Sequence, residues 1–378
     1  MVKYLIPFVF LVLLSSALML SQTSCVAQKN GGKTLLKGVV APFDVQDIRA
    51  RLGRTDKRSF TCPEAPVPVV KMLFNSVYDK SSENSSVVDP EEKARYLRET
   101  ENISMLETGL SKYANRYVMA QNPNPQVAQC VVDWINIWAM HDGLLGESNR
   151  MGEFVRKWAL SSISLAYLQV QDEPSLSEED KAIVRFWIRR LAERVVADFS
   201  TLPKISSRNN NHMYWAGWGV ACASVVLDDR ELLNWGIEAA RIGIRQVQND
   251  GTLPLELSRG PKAFMYHQYA AIPLMMTAAL AKKNGVDLFD ENDEALRRLG
   301  QVIIRNIADQ GYFEELTGEK QNLERAVTTS NLTWLEPYYA FYHDPAAEEW
   351  LEKFRPVKHS RVGGNATNLY GPGEKEGD

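Results

Sequence analysis

Two segments of the chain gather residue types that bind anions and carry protons. The first, Arg208-Asn209-Asn210-Asn211-His212-Met213-Tyr214-Trp215-Ala216-Gly217-Trp218, places three asparagines and a histidine ahead of an apolar run. The second runs from Gly251 to His267 and holds Arg259, Lys262, Tyr266 and His267. Arginine offers a fixed fork of donors to an anion, an amide adds a neutral donor, and imidazole and phenol take up and release protons. Each part also has an ordinary reading. Asparagines cap helices, a histidine behind them is commonly a hydrogen-bonded buried one, and an isolated loop arginine usually lays its stem on apolar surface. Combination of the two segments is what raises the odds of a site.

Helices must position them. Ser177 and Asp180 resemble a capping box that opens a run with Val184, Trp187, Leu191, Val195 and Phe199 at steps of three or four. After Asp228-Asp229, the residues Leu233, Ile237, Ala240, Ile244 and Val247 make one stripe that stops at Asn249-Asp250-Gly251. Similar stripes run through Phe154 to Leu168, Ile272 to Leu280 and Leu296 to Ile307. No comparable set of alternating strands exists. The pattern from about residue 92 to 345 predicts one all-α assembly of stacked helical hairpins, without a linker that divides it. On that scaffold the second segment is a loop between helices, where sites tend to lie. Asn211, Tyr214, Trp215 and Trp218 would share one helix face. The polar stretch 75–90 is long enough for a lid.

The 378 residues are 45% hydrophobic and 24% charged, an ordinary globular composition. Net charge is -4, and one unit more negative without Lys3, so no overall field attracts nucleic acid or an anionic membrane. An anionic partner must be met by a local group of bases. There is no GxxxxGK[ST], GxSxG, HExxH or CxxC, so nucleotide, serine and zinc hydrolysis have no local signal. Lys3, the apolar run from Tyr4 to Leu20 and the small residues before Gln28 read as a secretory signal peptide, 1–27, with an uncleaved anchor as the alternative. A single domain, 28–378, follows. Export permits disulfides, and of Cys62, Cys130 and Cys222 the preferred pair is Cys62 with Cys130, against three free thiols.

The stretches NNNHMYWAGW and LPLELSRGPKAFMYHQYA resemble the signature of the periplasmic alginate lyases of polysaccharide lyase family five, the poly(β-D-mannuronate) lyases. CPEAPVP near Cys62, CVVDWINIWAMHDGLL around Cys130, TWLEPYYAFY from Thr333 and SRVGGNATNLYG from Ser360 extend the likeness over about residues 60–371. The resemblance implies an incomplete α/α toroid whose deep cleft cuts a uronate polymer by β-elimination, with no cofactor and no metal. It implies catalytic roles for Asn211, His212, Arg259 and Tyr266, and a lid carrying Tyr78 and Lys80. It also implies a periplasmic protein, expected to be a monomer, whose partner is alginate rather than nucleic acid or, after signal cleavage, membrane. An alginate export assembly is a candidate partner.

The residue types suit that chemistry. The proton on C5 of a uronate is weakly acidic because a carboxylate stands beside it, so neutralising the carboxylate comes first, a task for Arg259 and Asn211. In β-D-mannuronate the C5 hydrogen and the leaving O4 lie on one side of the ring. One tyrosine, Tyr266, acidified by Arg259 and His212, could take the first proton and supply the second, with His212 assisting at the carboxylate. In guluronate the two are anti, and His212 is the candidate base on the opposite face. Arg208, Lys262, Arg355 and Arg361 are candidates for further carboxylates, and Trp134, Trp138, Trp215 and Trp218 for sugar stacking, although helical spacing equally suits a core role for these tryptophans. Two other readings stay open. A glycoside hydrolase would need paired carboxylates, for which Glu256, Glu314 and Glu315 are available, and a non-catalytic polymer-binding component of a secretion assembly would need no chemistry.

Overall fold

The computed structural model describes residues 38–79, 87–200, 209–309, 311–323 and 326–372. The expected signal peptide, 1–27, lies outside the described residues. From residue 37 onward the chain forms one compact unit. Its helices are α1 (Val45–Leu52), α2 (Pro90–Glu99), α3 (Glu101–Val118), α4 (Pro125–Met140), α5 (Arg150–Val170), α6 (Glu178–Ser200), α7 (Asn211–Leu227), α8 (Arg230–Ile244), α9 (Pro254–Leu257), α10 (Ala263–Lys283), α11 (Glu291–Ala308), α12 (Gly311–Thr317), α13 (Leu335–Tyr342), α14 (Pro345–Phe354) and α15 (Ala366–Tyr370).

Sequence pattern sorts these helices into two layers. α5, α7 and α10 bury residues on every side, as a helix enclosed by others must. α6, α8 and α11 bury one stripe and leave the other face to water. Accordingly α3, α5, α7 and α10 pack in succession as an inner layer, and α4, α6, α8 and α11 each fold back outside as the second arm of a hairpin. The result is an incomplete α/α toroid. The closest hairpin is α7 with α8, because Gly217 and Gly236 face one another. A Cβ on Gly217 would come within 2.9 Å of the Gly236 carbonyl oxygen, and one on Gly236 within 2.7 Å of the Gly217 oxygen. Even alanine there would force the helices apart.

The Pro-rich segment before the toroid is tied to α4. Cys62 and Cys130 form a disulfide with Cα atoms 5.5 Å apart, and Cys222 is a buried free thiol. Trp134 donates from its indole to the Pro63 carbonyl at 3.0 Å, and Trp138 to that of Pro66 at 2.8 Å. Both rings are buried, so neither is a platform for sugar. They are polar-tipped core side chains whose N–H satisfies carbonyls of a segment that cannot form a helix. Near the C-terminus two short antiparallel strands, Lys358–His359 and Gly364–Asn365, flank a turn that returns Arg361 to the inner helices. Among the described residues, no helix is long and apolar enough to cross a membrane.

Candidate active site

One cavity of about 510 Å³ collects residues from the beginnings of α5, α7 and α10, from the 75–90 loop and from the C-terminal turn. Its lining includes Tyr78, Trp158, His212, Arg259, Tyr266 and Arg361. The expected cleft thus unites the two segments that sequence singled out. Among the described residues, no Asp or Glu lines it.

α7 begins at the three asparagines. Asn210 caps it, its side chain accepting from the His212 amide at 3.0 Å. Next in the chain, Asn211 is fully buried and donates to Glu256 twice, from its backbone at 2.8 Å and its side-chain amide at 2.9 Å. The amide expected to face a sugar carboxylate is therefore engaged with a protein carboxylate. Burial raises Glu256 to about 7, although the two bonds from Asn211 and the charge of Arg259 oppose the shift.

His212 stands one position further, with its ring stacked on Phe154 at 3.6 Å and 7°. Its Nδ1 and its carbonyl oxygen both lie 2.9 Å from Lys157 Nζ. Burial first, then the charges of Lys157, Arg150 and Arg259, hold the imidazole well below its ordinary value, so it is neutral at neutral pH. Lys157 is itself fully buried, and its ammonium position faces the rings of Phe154, Trp158 and Phe199 at 4.7, 5.0 and 5.2 Å.

Arg259 and Tyr266 meet where the loop after α9 turns into α10. The guanidinium Nη2 donates to the Tyr266 oxygen at 3.1 Å, and Tyr78 shares a hydrogen bond with that oxygen at 2.9 Å. Burial pushes the Tyr266 phenol well above its ordinary value, and the nearby Arg259 only partly offsets it. Acidification of this phenol, expected from its neighbours, is thus outweighed by desolvation, and the resting group carries its proton. Tyr78 comes from the base of the expected lid, where Asp79 and Asp89 make backbone bonds of 3.0 Å to Val87 and Val77. Lys262 lies 4.2 Å from the Tyr78 ring centre, and burial lowers its amine to about 8. Lys80 and Arg208 lie outside the described residues.

Arg361 closes the far wall. Its guanidinium covers the Trp158 ring at 4.2 Å and donates to the Tyr269 hydroxyl at 3.2 Å, with buried Glu107 3.8 Å away. Trp218 fixes this position by donating to the Arg361 carbonyl at 2.8 Å. Trp215 is fully buried between Tyr269 and His359, its indole N–H bonded to the Tyr269 carbonyl at 3.2 Å. A ring so enclosed has no face for a sugar, and the substrate-binding expectation for Trp215 gives way to a structural one. Arg355 pairs with Glu336 at 2.8 Å instead of lining the cavity.

Sequence reasoning passed over Lys157, Phe154, Trp158 and Tyr269. The available signal was a lysine inside the otherwise apolar Phe154–Leu168 stripe, a place where an unpaired charge is costly.

Comparison with known proteins adds kinship to geometry. The sequence model of a family described as alginate lyase matches residues 74–313. An alginate lyase of Pseudomonas syringae pv. tomato is 35% identical over 349 residues, spanning 90% of this chain and 89% of that protein. One from Pseudomonas putida (strain W619) is 35% identical over 328 residues, 84% of this chain and 88% of that protein. Among solved structures, alginate lyase A1-III from Sphingomonas species A1 superposes with a TM-score of 0.76 at 24% identity, over 89% of this chain and 97% of that one. A variant of A1-III complexed with a tetrasaccharide gives 0.78 at 23% identity, over 92% and 100%.

Proposed function

The chain belongs to the alginate lyase family, and from that membership we propose that it cleaves mannuronate-rich alginate by metal-independent β-elimination, leaving 4,5-unsaturated uronate ends. The observation that carries the reading is the convergence of His212, Arg259 and Tyr266 on one cavity without a lining carboxylate among the described residues. A glycosidase would need two carboxylates across the cleft, and Glu256 is instead sequestered behind Asn211.

In this mechanism the uronate carboxylate sits against Arg259 and His212, whose donors stabilise the charge that develops as C5 loses its proton. Tyr266, as phenolate, takes that proton. The electron pair forms the C4–C5 double bond as the C4–O4 bond breaks, and Tyr266 returns the proton to O4, regenerating the phenolate. Arg259 stabilises the phenolate, the minor but reactive form of a group that rests protonated. Tyr78, Lys262 and Arg361 extend the cationic and aromatic wall along the polymer.

The protein is exported to the periplasm behind residues 1–27 and works there as a monomer, with an alginate export assembly as its candidate partner. The Cys62–Cys130 disulfide supports an oxidising compartment. Incubation with mannuronate-rich and guluronate-rich polymers in the presence of a chelator tests the function. The reading expects unsaturated ends from the first polymer. Reducing ends without unsaturation would indicate a hydrolase, and binding without products a polymer-guiding module.

A further inference from the structure

We propose that Lys157 sets the tautomer of His212, holding the imidazole proton on Nε2, so that the ring is a donor into the cavity and lacks the lone pair a general base needs there. Lys157 Nζ lies 2.9 Å from two polar atoms of the same residue, the His212 carbonyl oxygen and Nδ1. The carbonyl can only accept. As an ammonium, held against three aromatic faces, the lysine has only N–H to give, so Nδ1 accepts; a neutral amine would also have a lone pair, and Nδ1–H donating to it is the arrangement that nitrogen-15 spectra would reveal. With Nδ1 accepting, a neutral imidazole must carry its proton on Nε2. Among the described residues Nε2 has no hydrogen-bond partner, and His212 lines the cavity.

Packing leaves the ring little alternative. Phe154 covers one face at 3.6 Å, fixing the ring plane. Turning the imidazole over would put Cδ2–H against Lys157 and leave a buried amine short of an acceptor. The lysine reaches this depth because α5 and α7 approach closely just beyond it. A Cβ on Gly219 would lie 2.7 Å from the Lys157 carbonyl oxygen. No carboxylate forms an ion pair with Lys157 among the described residues, and its amine faces three aromatic rings.

The consequence for the reaction rests on the lyase reading above. Tyr266 serves the syn elimination of mannuronate, whereas the anti elimination of guluronate calls for a second base, and His212 with its proton on Nε2 is not one. Lys157 is then a positioning residue that directs block specificity without touching sugar.

Nitrogen-15 spectra of the full-length protein with labelled histidine test this directly, the His212→Gln variant assigning the signals. Wild type should show an unprotonated, hydrogen-bonded Nδ1 and a protonated Nε2. In Lys157→Met the Nδ1 signal should move downfield as the bond is lost. Turnover on mannuronate-rich polymer should fall roughly 10- to 100-fold, the range for losing an orienting partner, with KM little changed. A proton on Nδ1 in wild type would overturn the proposal, as would unchanged His212 nitrogen signals in Lys157→Met. Wild-type spectra decide the tautomer even if Lys157→Met does not fold. They also decide it if alginate is not the substrate, so failure of the lyase reading stays distinguishable.

Discussion

Arg259 holds Tyr266 from two directions: Nη2 donates to the phenol oxygen at 3.1 Å, and the guanidinium carbon lies 4.0 Å from the ring centre. The same cation can therefore stabilise both the phenolate and a sugar carboxylate beside it. Because burial outweighs this cation, the phenolate is the minor form at neutral pH.

The pH profile follows from that balance. Raising pH deprotonates a group whose folded value is elevated, so kcat/KM should climb from about pH 6 to 9, approaching tenfold per unit where Tyr266 alone limits the rate. His212 adds no inflection in this window, because its imidazole is already neutral there. Arg259→Ala should lower kcat by roughly 10²-fold or more at neutral pH and move the rise to higher pH. Initial rates in overlapping buffers check both statements.

Glu256 should leave a mark on stability. Its folded value, about 7, lies above the ordinary 4.5, so the protonated form is the one that folding favours. The associated stabilisation is complete below 4.5 and is lost as pH rises through about 7, by about 3 kcal/mol in all. Denaturant titrations of wild type should show this decline, and Glu256→Gln should flatten it. In the variant one amide nitrogen would meet the Asn211 amide nitrogen, so Asn211 must turn over, and turnover should fall roughly tenfold.

Arg361 and Trp215 should separate binding from packing. Arg361→Ala strips buried Glu107 of its cation, so it should raise KM for the polymer and destabilise the fold by roughly 3 kcal/mol. Trp215→Phe removes a buried indole donor and should cost stability while KM stays unchanged. Equal KM effects in the two variants would contradict the placement of Arg361 in the cavity wall and of Trp215 in the core.

Much of this scaffold was legible in the chain. The stripe read through Val184–Phe199 is the buried face of α6, that from Leu233 is the buried face of α8 as far as Ile244, where the helix ends short of Val247, and the preferred cysteine pair is bonded. Periodicity predicts burial but not what a buried polar tip bonds to. Trp134, Trp138 and Trp218 therefore remained ambiguous until carbonyls distant in sequence were seen to receive their indole N–H groups. Lys157 was obscured for the same reason. Its partner, His212, stands 55 residues away on another helix, and a lone lysine in an apolar stripe reads as a stem reaching water. Acidity of Tyr266 was misjudged because sequence displays the neighbouring charges and hides the desolvation that opposes them.

Elimination through Tyr266 is tested most directly by ultraviolet absorbance of unsaturated uronate ends, followed on mannuronate-rich alginate with chelator present, for wild type and a folded Tyr266→Phe variant. Absorbance should grow steadily with wild type and at least about 10³-fold more slowly with the variant, since both proton transfers pass through one oxygen. Undiminished absorbance growth in Tyr266→Phe would contradict it.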